Sequence, residues 1–498
     1  MSKGTAELRL TYSFAKERGL ILLDTKATPA IIGARGGAAD PWALLEVRRV
    51  VGAPIHVEHM PPEAFERRLS EIYAVTGLDA EEFAANEDDL TSLAEGIPTT
   101  ADLLDSEDDA PVIRLINGVI AEAVKIKASD VHVEPYEKNL SIRLRVDGVL
   151  REILSLPSRV APSLVSRVKV MARLDIAEKR VPQDGRISLA LGGKTVDVRV
   201  STLPARFGER VVMRILDKDE ARLDLDALGM PPHTLARVRQ VLKRPNGIIL
   251  VTGPTGSGKT TTLYGALSLL NDPALNILTV EDPVEYAIEG VGQTQINPKV
   301  GMTFATGLRA ILRQDPDIVM VGEIRDGETA DISIRAALTG HLVLSTIHTN
   351  SAVGAITRLR DMGAEPFLLS STIAGVLAQR LVRRLCPSCK SPHTPNPAER
   401  ELLKLAPDSD ATIFQPVGCA RCGHTGYEGR LGVYEFMGID QNIRTMIHDD
   451  VGEQAMADYA FAENDTLADC GFRHVLAGET SIEEVLRVVK QEEDGTGV

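Results

Sequence analysis

The chain has 498 residues, room for roughly three domains at ~150 residues each, and 44% of them are hydrophobic, so packed cores rather than disorder are expected. Its 70 Asp and Glu outnumber 55 Lys and Arg, and the net charge of −15 counts against bulk nucleic-acid binding while leaving room for a local basic groove. No apolar run approaches the ~18 residues of a bilayer span, and the charged start MSKGTAELRLTYSFAKERG lacks the apolar centre of a signal peptide. A cytoplasmic protein is expected, with any membrane contact indirect.

Residues 1–85 read as a small α/β or helical domain suited to docking. WALLEVRRVVG and PEAFERRLSEIYAVTG have helical spacing, with Leu45, Val47 and Val50, then Phe65, Leu69, Ile72 and Tyr73, on the apolar faces. Residues 86–110 carry nine acidic residues and no basic ones, which predicts a solvated linker. Residues 111–228 read as an α+β domain. Its opening helix buries Val112, Leu115, Ile116, Val119, Ile120 and Val124. VHVEP and LSIRLRVDG then pair as strands, with Asp147-Gly148 as a tight-turn signal; Gly192-Gly193 marks a second hairpin tip, and ERVVMRIL a further strand. These strands expose Arg199, Arg210 and Arg214, of which Arg199 and Arg214 are candidates to face a nucleotide.

Residues 229–382 alternate helices with the short apolar strands GIILV, NILTVED, DIVMVGE and HLVLSTIH, the pattern of a doubly wound parallel sheet. The first strand leads into GPTGSGKT, where Gly253, Gly258, Lys259 and Thr260 fit the G-x-x-x-x-G-K-[ST] phosphate loop. Gly253, Gly256 and Gly258 let successive N–H groups wrap an anion. Lys259 supplies a point charge, and the Thr260 hydroxyl is placed to hold Mg²⁺. Ligands bind at the carboxyl ends of strands in such sheets. There stand Glu281, Asp282 and Glu285 after one strand and Glu323 after another, and of these Glu323, Glu281 and Glu285 could orient an attacking water. Gly322 occupies the place where many such strands carry a metal-contacting Asp. Arg309 and Arg313 lie four apart on one helix face, and Arg325 follows Glu323. They read either as a charge-stabilising cluster, supplied across an oligomer interface, or as ion pairs with Asp315 or Asp326. His341 and His348 begin and end one strand, too far apart for a metal pair. His348 is placed to sense a γ-phosphate or to be structural.

Cys386, Cys389, Cys419 and Cys422 form two C-x-x-C pairs in residues 383–430, suited to a tetrahedral, structural Zn²⁺, with a redox pair as the alternative. Cys470 stands alone as a buried small hydrophobe. Residues 431–498 are expected to be mostly helical.

Together GPTGSGKTTTLY, TVEDPVEY, LRQDPDIVMVGEIRD, TGHLVLSTIHTN and the double CxxC resemble the type II secretion ATPases of the general secretory pathway E group, in which the four blocks are the Walker A, Asp, Walker B and His boxes. SDVHVEP and GERVVMRIL resemble that family's second N-terminal domain. The resemblance is strong over residues 110–490 and weak over the first 80, and Gly322 matches the family. It implies an α/β fold: a RecA-like P-loop sheet preceded by a PAS-like α+β domain and a small N-terminal docking domain, with a tetracysteine zinc module and a helical C-terminal end. It implies a homohexameric, Mg²⁺-dependent ATPase on the cytoplasmic face of the inner membrane, driving pseudopilus assembly and protein export. ATP would bind Gly253, Pro254, Thr255, Gly256, Ser257, Gly258, Lys259, Thr260 and Thr261, with Glu323 as the essential Walker B glutamate. Arg199, Arg214, Arg309, Arg313 and Arg325 would touch ATP or the neighbouring domain. Its partners would be itself and the L and F components of the inner-membrane platform, with no nucleic acid. A type IV pilus assembly ATPase is the alternative reading.

Overall fold

In the computed structural model the described residues are 10, 14–15, 18–24, 27–37, 39–62, 64–65, 68, 110–191, 194–216, 224–406 and 409–489. The chain divides into two units, Met1–Asp217 and Lys218–Val498. Leu69, Ile72, Tyr73, the acidic run before Ala110 and the Gly192-Gly193 tip lie outside the described residues.

In the first unit, β1 (Leu20–Asp24), β2 (Ala30–Arg35) and β3 (Ile55–Met60) form a three-stranded sheet, antiparallel between β1 and β2 and parallel between β2 and β3. Helix α1 (Pro41–Val51) starts where Asp40 accepts a bond from the Trp42 N–H and ends at Gly52 in the left-handed region. It buries Ala43, Val47 and Val51, one residue every four, against the sheet. The expected stripe through Leu45 is therefore rotated: Val47 is buried as expected, but Leu45 and Trp42 are exposed and Ala43 and Val51 share the inward face with Val47. Phe65 is fully buried, as its spacing predicted.

Helix α2 (Ala110–Lys125) buries Val112, Leu115, Ile116, Val119 and Ile120 of the expected stripe, with Ala123 beside them, while Val124 is only half-buried. It packs with α3 (Ala161–Met171) on one face of a six-stranded antiparallel sheet, β4 (Asp130–Pro135), β5 (Asn139–Val146), β6 (Val149–Pro157), β7 (Gln183–Leu191), β8 (Lys194–Ala205) and β9 (Gly208–Leu216), in the order β6-β5-β4-β9-β8-β7. Asp147 and Gly148, at φ 50 and 83°, make the two-residue turn between β5 and β6 that the sequence signalled.

The second unit is built on a seven-stranded sheet in the order β12-β11-β13-β14-β10-β15-β18. Its strands β10 (Gly247–Thr252), β11 (Ile277–Glu281), β12 (Gly292–Gln295), β13 (Ile318–Val321), β14 (Leu342–Ile347) and β15 (Ile373–Leu385) are parallel. Period-two burial puts Ile248 and Leu250 in the core on one face, and Ile249 and Val251 in the core on the other. The last strand, β18 (Tyr427–Gly438), runs antiparallel along all of β15. The four cysteines lie in the excursion between these two strands, beside the short antiparallel pair β16 (Ser391–His393) and β17 (Ile413–Gln415), so residues 427–438 complete the sheet that β10 begins. Helices over Gln441–His448, Glu453–Ala460, Leu467–Leu476 and Ile482–Val489 follow and cover one face of it. Among the described residues no helix is long and apolar enough to cross a membrane.

Candidate functional site

The carboxyl ends of β11, β13, β14 and β10 are neighbours in the sheet, so Glu281, Glu323, His348 and the phosphate loop share one edge. The loop closes through Gly253, Gly256 and Gly258, at φ 149, 80 and 87°. A Cβ at Gly253 would lie 2.4 Å from the Gln379 carbonyl, so no larger residue fits there. Helix α4 (Lys259–Leu270) starts at once, and its first turn presents Thr260, exposed, and Thr261 beside the loop. Lys259 is 9% exposed, and its ammonium donates to the carbonyls of Gly253 and Pro254 at 2.8 and 3.0 Å. Burial lowers its pKa to about 8 against the pull of Glu323. The buried Ser257 hydroxyl has no partner among the described residues. Glycines that exclude a Cβ, an unanswered hydroxyl and a buried ammonium make a cradle that fits a polyphosphate.

Glu323 follows Gly322 off the end of β13. Its Oε1 accepts from Arg325 at 2.5 Å, and its Oε2 lies 3.6 Å from His348 Nε2. Burial, then the charge of Lys259, lowers the His348 pKa despite Glu323, so the imidazole is neutral at pH 7. At Gly322 a Cβ would stand 3.3 Å from both Phe304 and the Val280 carbonyl, too tight for an aspartate to fit easily. Glu281 is placed differently. It is 3% exposed and accepts from Thr279 at 2.6 Å, from Gln293 at 3.1 Å and from the Tyr264 hydroxyl. Tyr264 also accepts from the Glu285 N–H at 3.2 Å, tying the Asp-box turn to the phosphate-loop helix. Burial, then the bond to Glu281, holds the Tyr264 hydroxyl neutral.

The other expected residues are partly brought together. Arg309 pairs with Glu328 at 2.6 Å and Arg313 donates to the Arg309 carbonyl, while Asp326 caps a helix instead of pairing with arginine. His341 stands at the opposite end of β14, bonded to the Ala336 carbonyl at 2.9 Å and removed from the phosphate edge by about 20 Å of strand. In the first unit Arg199 and Arg214 are direct cross-strand neighbours, and Arg214 pairs with Asp130 at 3.1 Å. Gln379, Thr262, Gln293 and Tyr264 were not singled out from sequence. A buried Gln-Arg inside the apolar run IAGVLAQRLV was the available signal, since buried polar groups need partners.

The cysteine sulfurs all lie within 4.8 Å of one another, with edges of 3.8 and 3.9 Å. Zn–S bonds of about 2.3 Å in a tetrahedron demand edges of about 3.8 Å, whereas a disulfide needs about 2 Å. Backbone N–H groups of Gly418, Cys419 and Gly426 point at the sulfurs of Cys389 and Cys422 from 3.2–3.3 Å. Burial raises the Cys422 pKa, but the N–H bonds of Cys419 and Gly426 help bring its thiol down to about 6, while burial pushes Cys389 up to about 11, so the cluster shares its protons unevenly until a cation displaces them. The donor set fits Zn²⁺ with no position left open. Cys470 is buried, and burial pushes its thiol up to about 11.

Comparison with known proteins gives the same picture. Residues 105–487 match the family described as type II/IV secretion system protein, and residues 9–73 match a family described as an N-terminal domain of GSPII protein E. The chain is 55% identical to the type II secretion system protein E of Dickeya dadantii, over 98% of this chain and 99% of that one. It is 56% identical to the type II secretion system ATPase E of Vibrio cholerae, over 90% of each. The Legionella pneumophila ATPase DotB shares the fold, with a TM-score of 0.56 at 19% identity over 76% of this chain and 95% of that one. The pilus retraction motor PilT gives 0.50 at 25% identity over 74% and 95%. A glycine-built phosphate loop beside a strand-end glutamate, with full-length identity of this degree, establishes that the chain belongs to the type II secretion system protein E family of ATPases.

Proposed function

We propose that this chain is the hexameric motor of a type II secretion system, hydrolysing ATP at the cytoplasmic face of the inner membrane to drive pseudopilus assembly and protein export. The observation that carries this reading is Glu323, held by Arg325 and His348 at the sheet edge that also bears Lys259. Gly253 to Thr261 bind the triphosphate, Lys259 turning from its own loop carbonyls to the phosphates. Thr260 would hold Mg²⁺, which when bound would supply neutralisation of the developing phosphate charge. Glu323 orients the attacking water, and neutral His348 is in reach of the same carboxylate. The bonds to Tyr264, Thr279 and Gln293 make Glu281 an anchor for the turn that carries Glu285. Arg309, Arg313 and Arg325, with Arg199 and Arg214 of the first unit, contact ATP or a neighbouring subunit. The match of residues 9–73 to an N-terminal domain of GSPII protein E supports docking of this region on the platform components L and F, making membrane contact indirect.

The test is ATP turnover of the wild type and Glu323→Gln, each with and without a hexamer-forming fusion. Turnover rises on fusion and Glu323→Gln loses at least ~100-fold while still binding nucleotide. Equal turnover of variant and wild type removes Glu323 from the chemistry.

A further inference from the structure

The strand β15 runs on past the point where β10 leaves the sheet: Thr252, the last residue of β10, pairs with Ala378. From Gln379 onward the edge of β15 that faced β10 therefore flanks the phosphate loop, while β18 still pairs with the other edge. Gln379 is 2% exposed, and both ends of its amide are used. Its Nε2 donates to the Ser257 carbonyl at 2.8 Å, and its Oε1 accepts from the Thr262 hydroxyl at 2.6 Å. The orientation of this amide is fixed, because a carbonyl can answer only the NH₂ end. The peptide bond is planar and trans, so a carbonyl and the following N–H point in opposite directions. Holding the Ser257 carbonyl toward β15 turns the Gly258 N–H away from β15. Gly258 leaves space for this clamp, since a Cβ there would stand 2.8 Å from Gln379 Nε2. The next residue, Arg380, is also buried and donates to the Asn350 carbonyl at 2.6 Å, and Thr252 bonds the Thr349 carbonyl at 3.0 Å. One dipeptide of β15 thus grips the loop and the segment that follows His348.

We propose that Gln379 is a positioning residue for ATP hydrolysis, whose amide, oriented by Thr262, holds the Ser257 carbonyl and so aims the Gly258 N–H at a phosphate oxygen. An N–H that meets the phosphate in ground and transition states alike supports binding more than turnover, so its loss shows in KM before kcat.

The test uses the full chain, titrated with a fluorescent ADP analogue, with KM and kcat for ATP and the nucleotide-free Tm measured alongside. Gln379→Met keeps length and loses the amide. It is expected to weaken ADP binding about tenfold and to raise KM by a similar factor, with kcat falling less, one hydrogen bond to a charged group being the loss. Thr262→Val, which frees the amide to turn, weakens binding several-fold, and Thr262→Ser, which returns the hydroxyl, recovers it. The double variant Gln379→Met/Thr262→Val binds no worse than Gln379→Met, since both cut one linkage. The proposal is overturned if Gln379→Met binds within twofold of wild type, or if it lowers the Tm and leaves affinity alone. Should Gln379→Met not fold, Thr262→Val decides: affinity equal to that of Thr262→Ser overturns the proposal. The inference rests on this loop being the ATP site. A wild type that binds no nucleotide overturns that reading, whereas variants equal to a wild type that does bind overturn this one.

Discussion

Tyr264→Phe removes one oxygen from the middle of the second unit, and its cost follows from the contacts. Tyr264 is 1% exposed, and its hydroxyl answers Glu281, a carboxylate 3% exposed, while receiving the Glu285 N–H. A buried hydrogen bond to a charged group contributes about 1.5–3 kcal/mol, and the neutral bond to the Glu285 N–H about 0.5–1.5. The ring and its packing stay, so no cavity term enters. The expected loss is about 2–4 kcal/mol, which lowers the Tm of the second-unit transition by roughly 5–15 °C. The assay is thermal unfolding followed by circular dichroism, beside Tyr459→Phe, whose hydroxyl meets Asp440 on the exposed surface and whose loss stays within ~0.5 kcal/mol. If Tyr264→Phe melts with the Tyr459→Phe control, Glu281 is not anchored as described and returns as a candidate to polarise water.

Nucleotide affinity is expected to fall as pH rises above about 8, where buried Lys259 gives up its proton before the phosphates arrive, with a slope of up to ~tenfold per pH unit. ADP-analogue titrations at pH 7 and 9 that agree would remove Lys259 from phosphate binding. Glu484 is buried, which raises its pKa, but bonds from Arg487 and Arg383 outweigh that and hold it at about 2. Its stabilisation is full above the unfolded value near 4.5 and is lost as pH falls toward 2, on the order of 3 kcal/mol. Urea unfolding at pH 5 and pH 3 should show wild type losing stability that Glu484→Gln never had; parallel losses refute the pairing. Cys422→Ser is expected to lose bound zinc by elemental analysis and to open the excursion between β15 and β18 to trypsin, whereas a variant with full zinc content refutes the tetrathiolate site.

What the sequence made legible was local or periodic. The phosphate loop declares itself by spacing, the parallel strands by short apolar runs, the β5–β6 turn by Asp147-Gly148, and the cysteine cluster by its paired knuckles. What stayed hidden joins distant residues. Gln379 meets Ser257 and Thr262 across more than a hundred residues of chain, and Gln293 meets Glu281 through a short strand with no periodic signal. The inward face of α1, through Ala43, Val47 and Val51, is chosen by contact with the strands, which a hydrophobic stripe does not encode. That β18 finishes the sheet is equally invisible, because a long excursion conceals which strand it rejoins.

That excursion has a consequence for how the protein assembles itself. Bringing Tyr427 back to Leu385 closes a loop of about 40 residues, at an entropic cost of about 3 kcal/mol before any ladder bond forms. The two cysteine knuckles sit at the neck of that loop, one beside each strand end. An ion bound by all four sulfurs would tie that neck and so offset the closure cost of pairing β18 with β15. Metal supply would then reach past the cysteine module to the edge strand of the nucleotide-binding sheet itself.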